Sequence, residues 1–342
     1  MIPKALFGKS SNRRRGQMDI QIISGFLGAC KTTFINRYLP LLGPGTVVIE
    51  NEFGDISLDG SLIEGAAEVR EITSGCICCT LSGDFRQALT ELKASADPDH
   101  ILIEPTGVGR LSDVLNVCRK LNAAYPGEYP VSKCITIVDV SDYEENVKFF
   151  GDFYTDQIRQ AAMLYLSHTE NRLPEEITVI CADIRNQNPK AMIYRDDFRN
   201  LDDSMFMDLI AAIPAGRDVP DAGDPHECED HEEHHHGHDH DHVHRHADDI
   251  FSSAVLRNVR LPSDTAEMFI ATLRSGDFGR ILRGKGYVRN AQGELLYVDV
   301  TPAGSSCRKA DPEKAGEKSD IFVVIGCGLD EDALQNTIWS GS

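Results

Sequence analysis

Residues 25–33 read GFLGACKTT, and this stretch decides the fold. A phosphate-binding P-loop follows the pattern G-x-x-x-x-G-K-[ST], in which glycines let backbone amides face the phosphates and the lysine reaches the β- and γ-phosphates. An apolar strand precedes the stretch and a helix-length segment follows it, which is the context that a P-loop requires. The sequence therefore predicts a nucleotide site, with one departure from the pattern.

That departure is Cys30, which stands where the pattern has glycine. Its Cβ must fit where backbone and phosphate approach closely. If the position requires a positive φ, the strain is of the order of 1–2 kcal/mol. A remnant of a nucleotide site is therefore the alternative to a working one.

Two later segments predict the rest of a nucleotide machine. In ILIEPTG, Glu104 ends a buried strand, where it is placed to hold Mg²⁺ through water, and Gly107 follows where a switch glycine would meet the γ-phosphate. The acidic, glycine-interrupted stretch ENEFGDISLDG, residues 50–60, lies where a first switch is expected. An ordinary solvated loop is the alternative for that stretch.

Base recognition has a weak signal. A guanine site would carry N-K-x-D after the strand AMLYL, whereas this chain has SHTE at residues 167–170. Glu170 could replace the aspartate that binds guanine, with a longer arm. These residues leave the preference between GTP and ATP open.

Three thiols lie close together in SGCICCTLS, at Cys76, Cys78 and Cys79. Thiolates at this spacing suit Zn²⁺ or Cu(I), and a three-ligand site keeps a fourth position open for transfer. Thiol exchange between neighbouring cysteines is the competing interpretation.

A second metal signal is the run HECEDHEEHHHGHDHDHVHRH, residues 226–246. Imidazoles interleaved with carboxylates bind Zn²⁺, Ni²⁺ or Co²⁺ with modest selectivity, so we expect several loose sites. A solvated charged linker is the alternative. The candidate ligands are His234, His235, His236, His238 and His240.

Apolar segments alternate with helix-length segments from residue 18 onward. This alternation predicts an α/β fold, a P-loop NTPase domain with a mostly parallel sheet, followed by a small C-terminal α+β domain. DIQIIS, TVVIEN, HILIEP, KCITIVDV, AMLYLS and ITVICAD are the expected strands. We expect a disordered basic extension at 1–17, the P-loop domain at 18–215, a His/Asp/Glu-rich linker at 216–248 and the C-terminal domain at 249–342, with 301–320 as an exposed loop.

The net charge of −20 argues against nucleic acid and anionic membranes as partners. Residues 1–17 lack the apolar centre of a secretory signal, and no apolar run approaches a membrane span. Ten cysteines without such a signal suggest reduced thiols. We therefore expect a cytoplasmic protein.

Taken in order, GFLGACKTT, ENEFGDISLDG, GCICCTL and IEPTG resemble the CobW-like metallochaperone GTPases, which are SIMIBI-class P-loop proteins. NPKAMI at 188–193, the histidine-rich run, LRGKGY at 282–287 and VVIG extend the resemblance to nearly everything from residue 18. The resemblance implies GTP hydrolysis coupled to delivery of a metal, commonly Zn²⁺ with Co²⁺ or Ni²⁺ as alternatives, to a client metalloprotein.

The resemblance also implies roles for individual residues. Lys31, Thr32 and Glu104 would be catalytic, Thr32 and Glu104 through Mg²⁺. Glu50 and Asp55 would join the three cysteines in holding metal. The nucleotide-binding set would be Gly25, Gly28, Ala29, Cys30, Lys31, Thr32, Thr33, Gly107 and Glu170.

Cys30 and the SHTE segment both depart from the family pattern, and together they raise the alternative of a weakened or altered GTPase. A non-hydrolysing metal buffer with a vestigial P-loop is the second hypothesis. An ATP-using P-loop kinase is a third, which leaves the cysteines unexplained. The client, the physiological metal and a homodimer, a state that some relatives use, are left open by the sequence.

Overall fold

The computed structural model describes residues 18–52, 68–73, 81–96, 98–215, 250–263, 265–302 and 304–337. The expectations for residues 1–17, for most of the first switch including Asp55, for Cys76, Cys78 and Cys79, and for the linker with its histidines lie outside the described residues. Two sheets organise the described part. None of its helices is long and apolar enough to cross a membrane.

Seven parallel strands form the first sheet, in the order β3-β2-β4-β1-β5-β6-β7. Because β1 is central and its neighbours are nearly continuous apolar runs, both faces of the sheet are buried. The predicted α/β fold class is confirmed. The strands are β1 (Asp19–Gly25), β2 (Thr46–Glu52), β3 (Glu68–Thr73), β4 (His100–Glu104), β5 (Val131–Asp139), β6 (Met163–Ser167) and β7 (Met192–Tyr194).

Helices connect these strands. The first helix starts at the lysine of the P-loop, so its amino-terminal amides face the carboxyl edge of the sheet. The helices are α1 (Lys31–Leu42), α2 (Leu81–Ser95), α3 (Leu111–Ala124), α4 (Tyr143–Gln160), α5 (Pro174–Gln187) and α6 (Asp203–Ala212).

One strand prediction is wrong: ITVICAD lies inside α5. Its β-branched residues favour a strand, but the start of the helix overrides them. Pro174 occupies the first turn, and the Glu176 carboxylate accepts a hydrogen bond from the Leu173 amide at 2.9 Å. Only Ile180 and Ile184 of this helix are buried, which is the spacing of one helical face.

The second sheet is antiparallel, in the order β11-β10-β9-β12-β8. Together with its short helices it forms the predicted α+β C-terminal part. Its elements are β8 (Ser252–Arg257), α7 (Glu267–Leu273), β9 (Arg280–Arg289), β10 (Leu295–Val300), β11 (Ser305–Lys309), α8 (Pro312–Ala315), β12 (Ile321–Cys327) and α9 (Glu331–Thr337).

The prediction of an exposed loop at 301–320 is wrong in part, because this segment contains β11 and α8. All five residues of β11 are exposed, so the segment has no buried apolar face for a pattern to reveal. Its register is set by pairing with β10, from Leu296 opposite Lys309 to Val300 opposite Ser305. The polar edge strand suits a sheet edge that must not aggregate.

The two sheets share one hydrophobic core. Phe26 of the P-loop contacts Phe150 of α4, with ring centroids 4.7 Å apart, and Phe150 contacts Phe251, which precedes β8, at 5.6 Å. All three side chains are buried in the same cluster as Tyr297 of β10. The C-terminal sheet is therefore packed against the elements that carry the P-loop.

Candidate functional site

The P-loop turns through left-handed backbone at several positions. Gly25 ends β1 with φ +149°, and Gly28 has φ +80°. A Cβ on Gly25 would lie 2.5 Å from the carbonyl oxygen of Ile137 in β5, which fixes glycine at this position. A Cβ on Gly28 would lie 3.0 Å from Cγ2 of Thr301, just after β10, so the loop also touches the C-terminal sheet.

Cys30 adopts the left-handed region, with φ +73° and ψ 29°, as the cap residue of α1. This is the positive φ that a residue with a Cβ adopts at a cost of about 1–2 kcal/mol. Its thiol contacts His168, the residue that stands where the family pattern has lysine after β6, with Sγ 3.2 Å from Nε2. The two departures from the family pattern are thus in contact with each other.

His168 is held in an acidic setting. Its backbone is also left-handed, with φ +57°, and its ring nitrogens lie 3.8 Å from carboxylate oxygens of Asp139 and Glu170. The contact with the Cys30 thiol raises the pKa of His168 to about 9; burial opposes this and the two carboxylates add to it. The imidazole is therefore cationic at neutral pH, as the lysine that it replaces would be.

The cation of the P-loop lies beside buried carboxylates. Lys31 is buried, donates a hydrogen bond from Nζ to the Phe26 carbonyl at 3.2 Å, and lies 3.9 Å from Oε1 of Glu104. Glu50 of β2 is opposite Glu104 of β4 in the parallel register. Neighbouring strands lie about 4.8 Å apart, so the two side chains are neighbours. The Glu104 carboxylate is the kind of hard oxygen ligand that Mg²⁺ prefers, and the buried Glu50 lies on the adjacent strand.

An open cavity of about 690 Å³ lies above this edge of the sheet. Its volume is in the range of small-ligand and cofactor sites. Six predicted nucleotide-binding residues line it, together with Glu104, which is predicted to serve Mg²⁺. The six are Gly28, Ala29, Cys30, Lys31, Thr32 and Thr33.

Other predicted residues lie elsewhere. The cavity lining includes His168 and Asn171 but not Glu170, whose side chain is 64% exposed. Gly107 packs under the loop, where a Cβ would lie 2.8 Å from Leu27, and its carbonyl accepts a hydrogen bond from Gln157. The guanine role of Glu170 and the switch role of Gly107 stay predictions.

The metal ligands can be placed only through their neighbours. β3 ends at Thr73 and α2 begins at Leu81, so described elements flank the segment with the three cysteines. β3 pairs with β2, which carries Glu50. The described residues contain no cluster of three metal-ligating side chains, and the predicted ligands other than Glu50, Glu104 and Thr32 lie outside them.

Sequence reasoning missed one group of cavity residues, which the C-terminal sheet supplies. They fall in LRGKGY, in ELLYVDV and in the segment that we predicted to be a loop. Recognising residues 305–309 as a strand of the second sheet would have pointed to those in the last segment. They are Arg283, Tyr297, Asp299, Thr301, Gly304, Ser305, Ser306 and Arg308.

A strand, a glycine-rich loop and a helix at the carboxyl edge of a parallel sheet, with an acidic residue ending the neighbouring strand, define a P-loop nucleotide-binding protein. Residues 19–195, more than half of the chain, match the CobW/HypB/UreG nucleotide-binding domain. The chain belongs to this family.

Several known proteins are similar to the chain. A zinc chaperone CobW of Sinorhizobium sp is 38% identical over 108 residues, 29% of this chain and 30% of that protein. The zinc-regulated GTPase metalloprotein activator 1 of Schizosaccharomyces pombe is 30% identical over 204 residues, 57% of this chain and 49% of that protein. The chain thus spans about half the length, or less, of the curated relatives that it matches.

Among solved structures, the Zn(II)-bound YjiA GTPase from E. coli is 19% identical. It covers 93% of this chain and 97% of its own, with a TM-score of 0.42. A likeness at that score adds nothing to the family assignment.

Proposed function

We propose that this chain is a GTP-dependent metallochaperone that binds Zn²⁺ or a similar divalent ion and transfers it to a client metalloprotein, with GTP hydrolysis driving the cycle. The observation that carries the proposal is the buried Lys31 at the start of α1, 3.9 Å from Glu104 in a cavity lined by the P-loop. Relatives named as zinc chaperones and as a GTPase metalloprotein activator support the class of activity.

In this proposal the P-loop amides and the Lys31 ammonium hold the polyphosphate. The Thr32 hydroxyl and the Glu104 carboxylate would hold Mg²⁺, which neutralises phosphate charge when bound. Cys76, Cys78 and Cys79, with Glu50 and Asp55, hold the transferred metal, and the histidine-rich run collects it. Glu50 of β2 lies beside Glu104 of β4. A shift of Glu104 on nucleotide binding or hydrolysis therefore alters the position of Glu50, one of the metal residues.

The switching step is a population shift. GTP favours one arrangement of residues 50–60 and 104–110, which repositions the cysteine segment for client docking, and hydrolysis releases it. We place the P-loop domain at 18–215 and the C-terminal domain at 249–342, joined by the histidine-rich linker. The protein works in the cytoplasm.

Calorimetric titration of GTP, GDP and ATP into metal-free and Zn²⁺-loaded full-length protein tests this proposal. Since coupling is reciprocal, GTP must change Zn²⁺ affinity by the factor by which Zn²⁺ changes GTP affinity. Lys31→Ala should remove nucleotide binding and keep the tight Zn²⁺ site, and the triple cysteine-to-serine variant should do the reverse. GTPase activity at background with and without Zn²⁺, in protein that circular dichroism shows to be folded, contradicts the proposal.

The left-handed Cys30 favours one alternative, a non-hydrolysing metal buffer with a vestigial P-loop. A buffer binds Zn²⁺ with the same affinity whether or not GTP is present. The titration above separates the two functions directly.

A further inference from the structure

The cavity has a second wall that belongs to the C-terminal sheet. Arg308 of β11 and Tyr297 of β10 line the same cavity as Lys31 and Thr32. Thr301 brings this wall onto the loop itself, because its methyl group lies 3.0 Å from where a Cβ on Gly28 would be. The short turn from Thr301 to Gly304 is fixed by hydrogen bonds between these two residues, so the start of β11 is held near the P-loop.

Two buried polar atoms on this wall lack partners among the described residues: the hydroxyl of Tyr297, which is 4% exposed, and Oδ1 of Asp299. Burying a hydroxyl without a hydrogen bond is unfavourable, and such a group is typically satisfied by water, an ion or a ligand. Tyr297 and Asp299 both line the cavity, so a ligand bound there can supply the partner. Burial, followed by the charge of Asp299, raises the pKa of Tyr297, so the hydroxyl stays protonated and can donate.

The wall is also cationic. The Arg308 guanidinium lies over the ring of Tyr297, 4.9 Å from its centroid, and in the described part of the chain it forms no ion pair with a carboxylate. Arg283 is held by the Asp299 carboxylate, with Nη2 and Oδ2 3.0 Å apart. A planar guanidinium presents several donors to phosphate oxygens, and the aromatic ring beneath it limits its freedom.

We propose that the C-terminal sheet is part of the nucleotide site: Arg308 binds the polyphosphate that the P-loop holds from the other side, and the Tyr297 hydroxyl donates a hydrogen bond to it. Nucleotide binding then fastens the C-terminal sheet to the P-loop and couples the two parts of the chain. This inference rests on the proposed function, because it requires a nucleoside di- or triphosphate in the cavity.

The test compares nucleotide affinities of full-length variants by calorimetry. Arg308→Ala should weaken GTP and GDP binding tenfold or more, about 1.4 kcal/mol, and leave guanosine binding unchanged, since guanosine has no phosphate. Arg257→Ala, at an exposed arginine on β8 of the same sheet, is the matched control and should change neither. If wild-type protein binds no nucleotide, the proposed function itself fails; if Arg308→Ala binds GTP as wild type does, only this inference fails.

Tyr297→Phe gives a signature that a packing role would not produce. Because the hydroxyl has no hydrogen-bond partner among the described residues, its removal should leave the melting temperature unchanged or raise it, while GTP binds at least threefold more weakly. Hydrogen exchange of β11 should slow on GTP addition in wild type and not in Arg308→Ala. A Tyr297→Phe variant with unchanged GTP affinity, or unchanged exchange of β11 in wild type, overturns the proposal.

Discussion

Cys30 occupies a left-handed position that glycine adopts without cost. Its thiol lies 3.2 Å from Nε2 of His168, and this contact ties the loop after β6 to the P-loop. Cys30 and His168 are therefore coupled residues, and a change at one of them should affect the other.

We expect Cys30→Gly to bind GTP at least about tenfold more tightly than wild type, roughly 1.4 kcal/mol. Glycine relieves the strain at φ +73° and opens space where phosphate and backbone approach. Calorimetric titration beside wild type measures the change. His168→Lys and the double variant complete the cycle, because a contact between the two residues must appear as non-additive effects. An unchanged affinity in Cys30→Gly would mean that Cys30 is no lesion.

The second prediction at this scale concerns the pH response of His168. Because its pKa is about 9 in the folded protein and near 6.5 in the unfolded chain, its contribution to stability is complete below pH 6.5 and is lost as pH rises through 9. NMR titration should find an imidazole signal that titrates near pH 9. That signal should be missing from the spectrum of His168→Gln. In Cys30→Ala this pKa should fall, since the thiol is its main cause. A value near 6.5 in wild type contradicts the prediction.

Most elements of the first sheet are predictable because the sequence alternates buried apolar runs with amphipathic segments. The pattern fails at α5, where β-branched residues sit in a helix that Pro174 and Glu176 start, and at β11, an exposed strand held only by its pairing. The P-loop and Glu104 were predictable from motif and spacing. Cys30 and His168 are 138 positions apart, and Arg308 and Tyr297 are more than 100 positions from the P-loop with which they share the cavity. No local sequence pattern reports contacts over such separations.

At the level of elements, Gly25→Ala should be destabilising by at least about 2 kcal/mol. The new Cβ would lie 2.5 Å from the Ile137 carbonyl and force β1 away from β5, where side-chain adjustment gives no relief. Gly127→Ala is the matched control, because Gly127 has φ +80° with nothing within 4 Å of its virtual Cβ. Urea denaturation of the two variants separates the steric clash from the cost of positive φ. If the two variants lose the same free energy of unfolding, the close approach of β1 and β5 is not the reason for glycine at position 25.

At the scale of the whole molecule, a path of aromatic rings joins the nucleotide loop to the second sheet. Phe26, whose carbonyl accepts the hydrogen bond from Lys31, packs against Phe150 with tilted rings, and Phe150 in turn contacts Phe251. Phe251 also meets Phe153 at 5.9 Å. A change that weakens packing of the C-terminal sheet should therefore alter the position of Lys31 through these rings. This effect is separate from any contact of the sheet with bound nucleotide.

We expect Phe251→Ala to destabilise the protein by about 3–5 kcal/mol and also to weaken GTP binding severalfold, because the cavity that it leaves removes support from Phe150 and Phe26. Phe269→Ala is the control: Phe269 packs on Phe322 at 5.0 Å in the other core of the C-terminal sheet, away from the P-loop. It should cost similar stability, measured by urea denaturation, and leave GTP affinity unchanged in calorimetry at a temperature where both variants are folded. Equal effects of the two variants on GTP affinity would mean that general loosening, and not the ring path, links the sheet to the site.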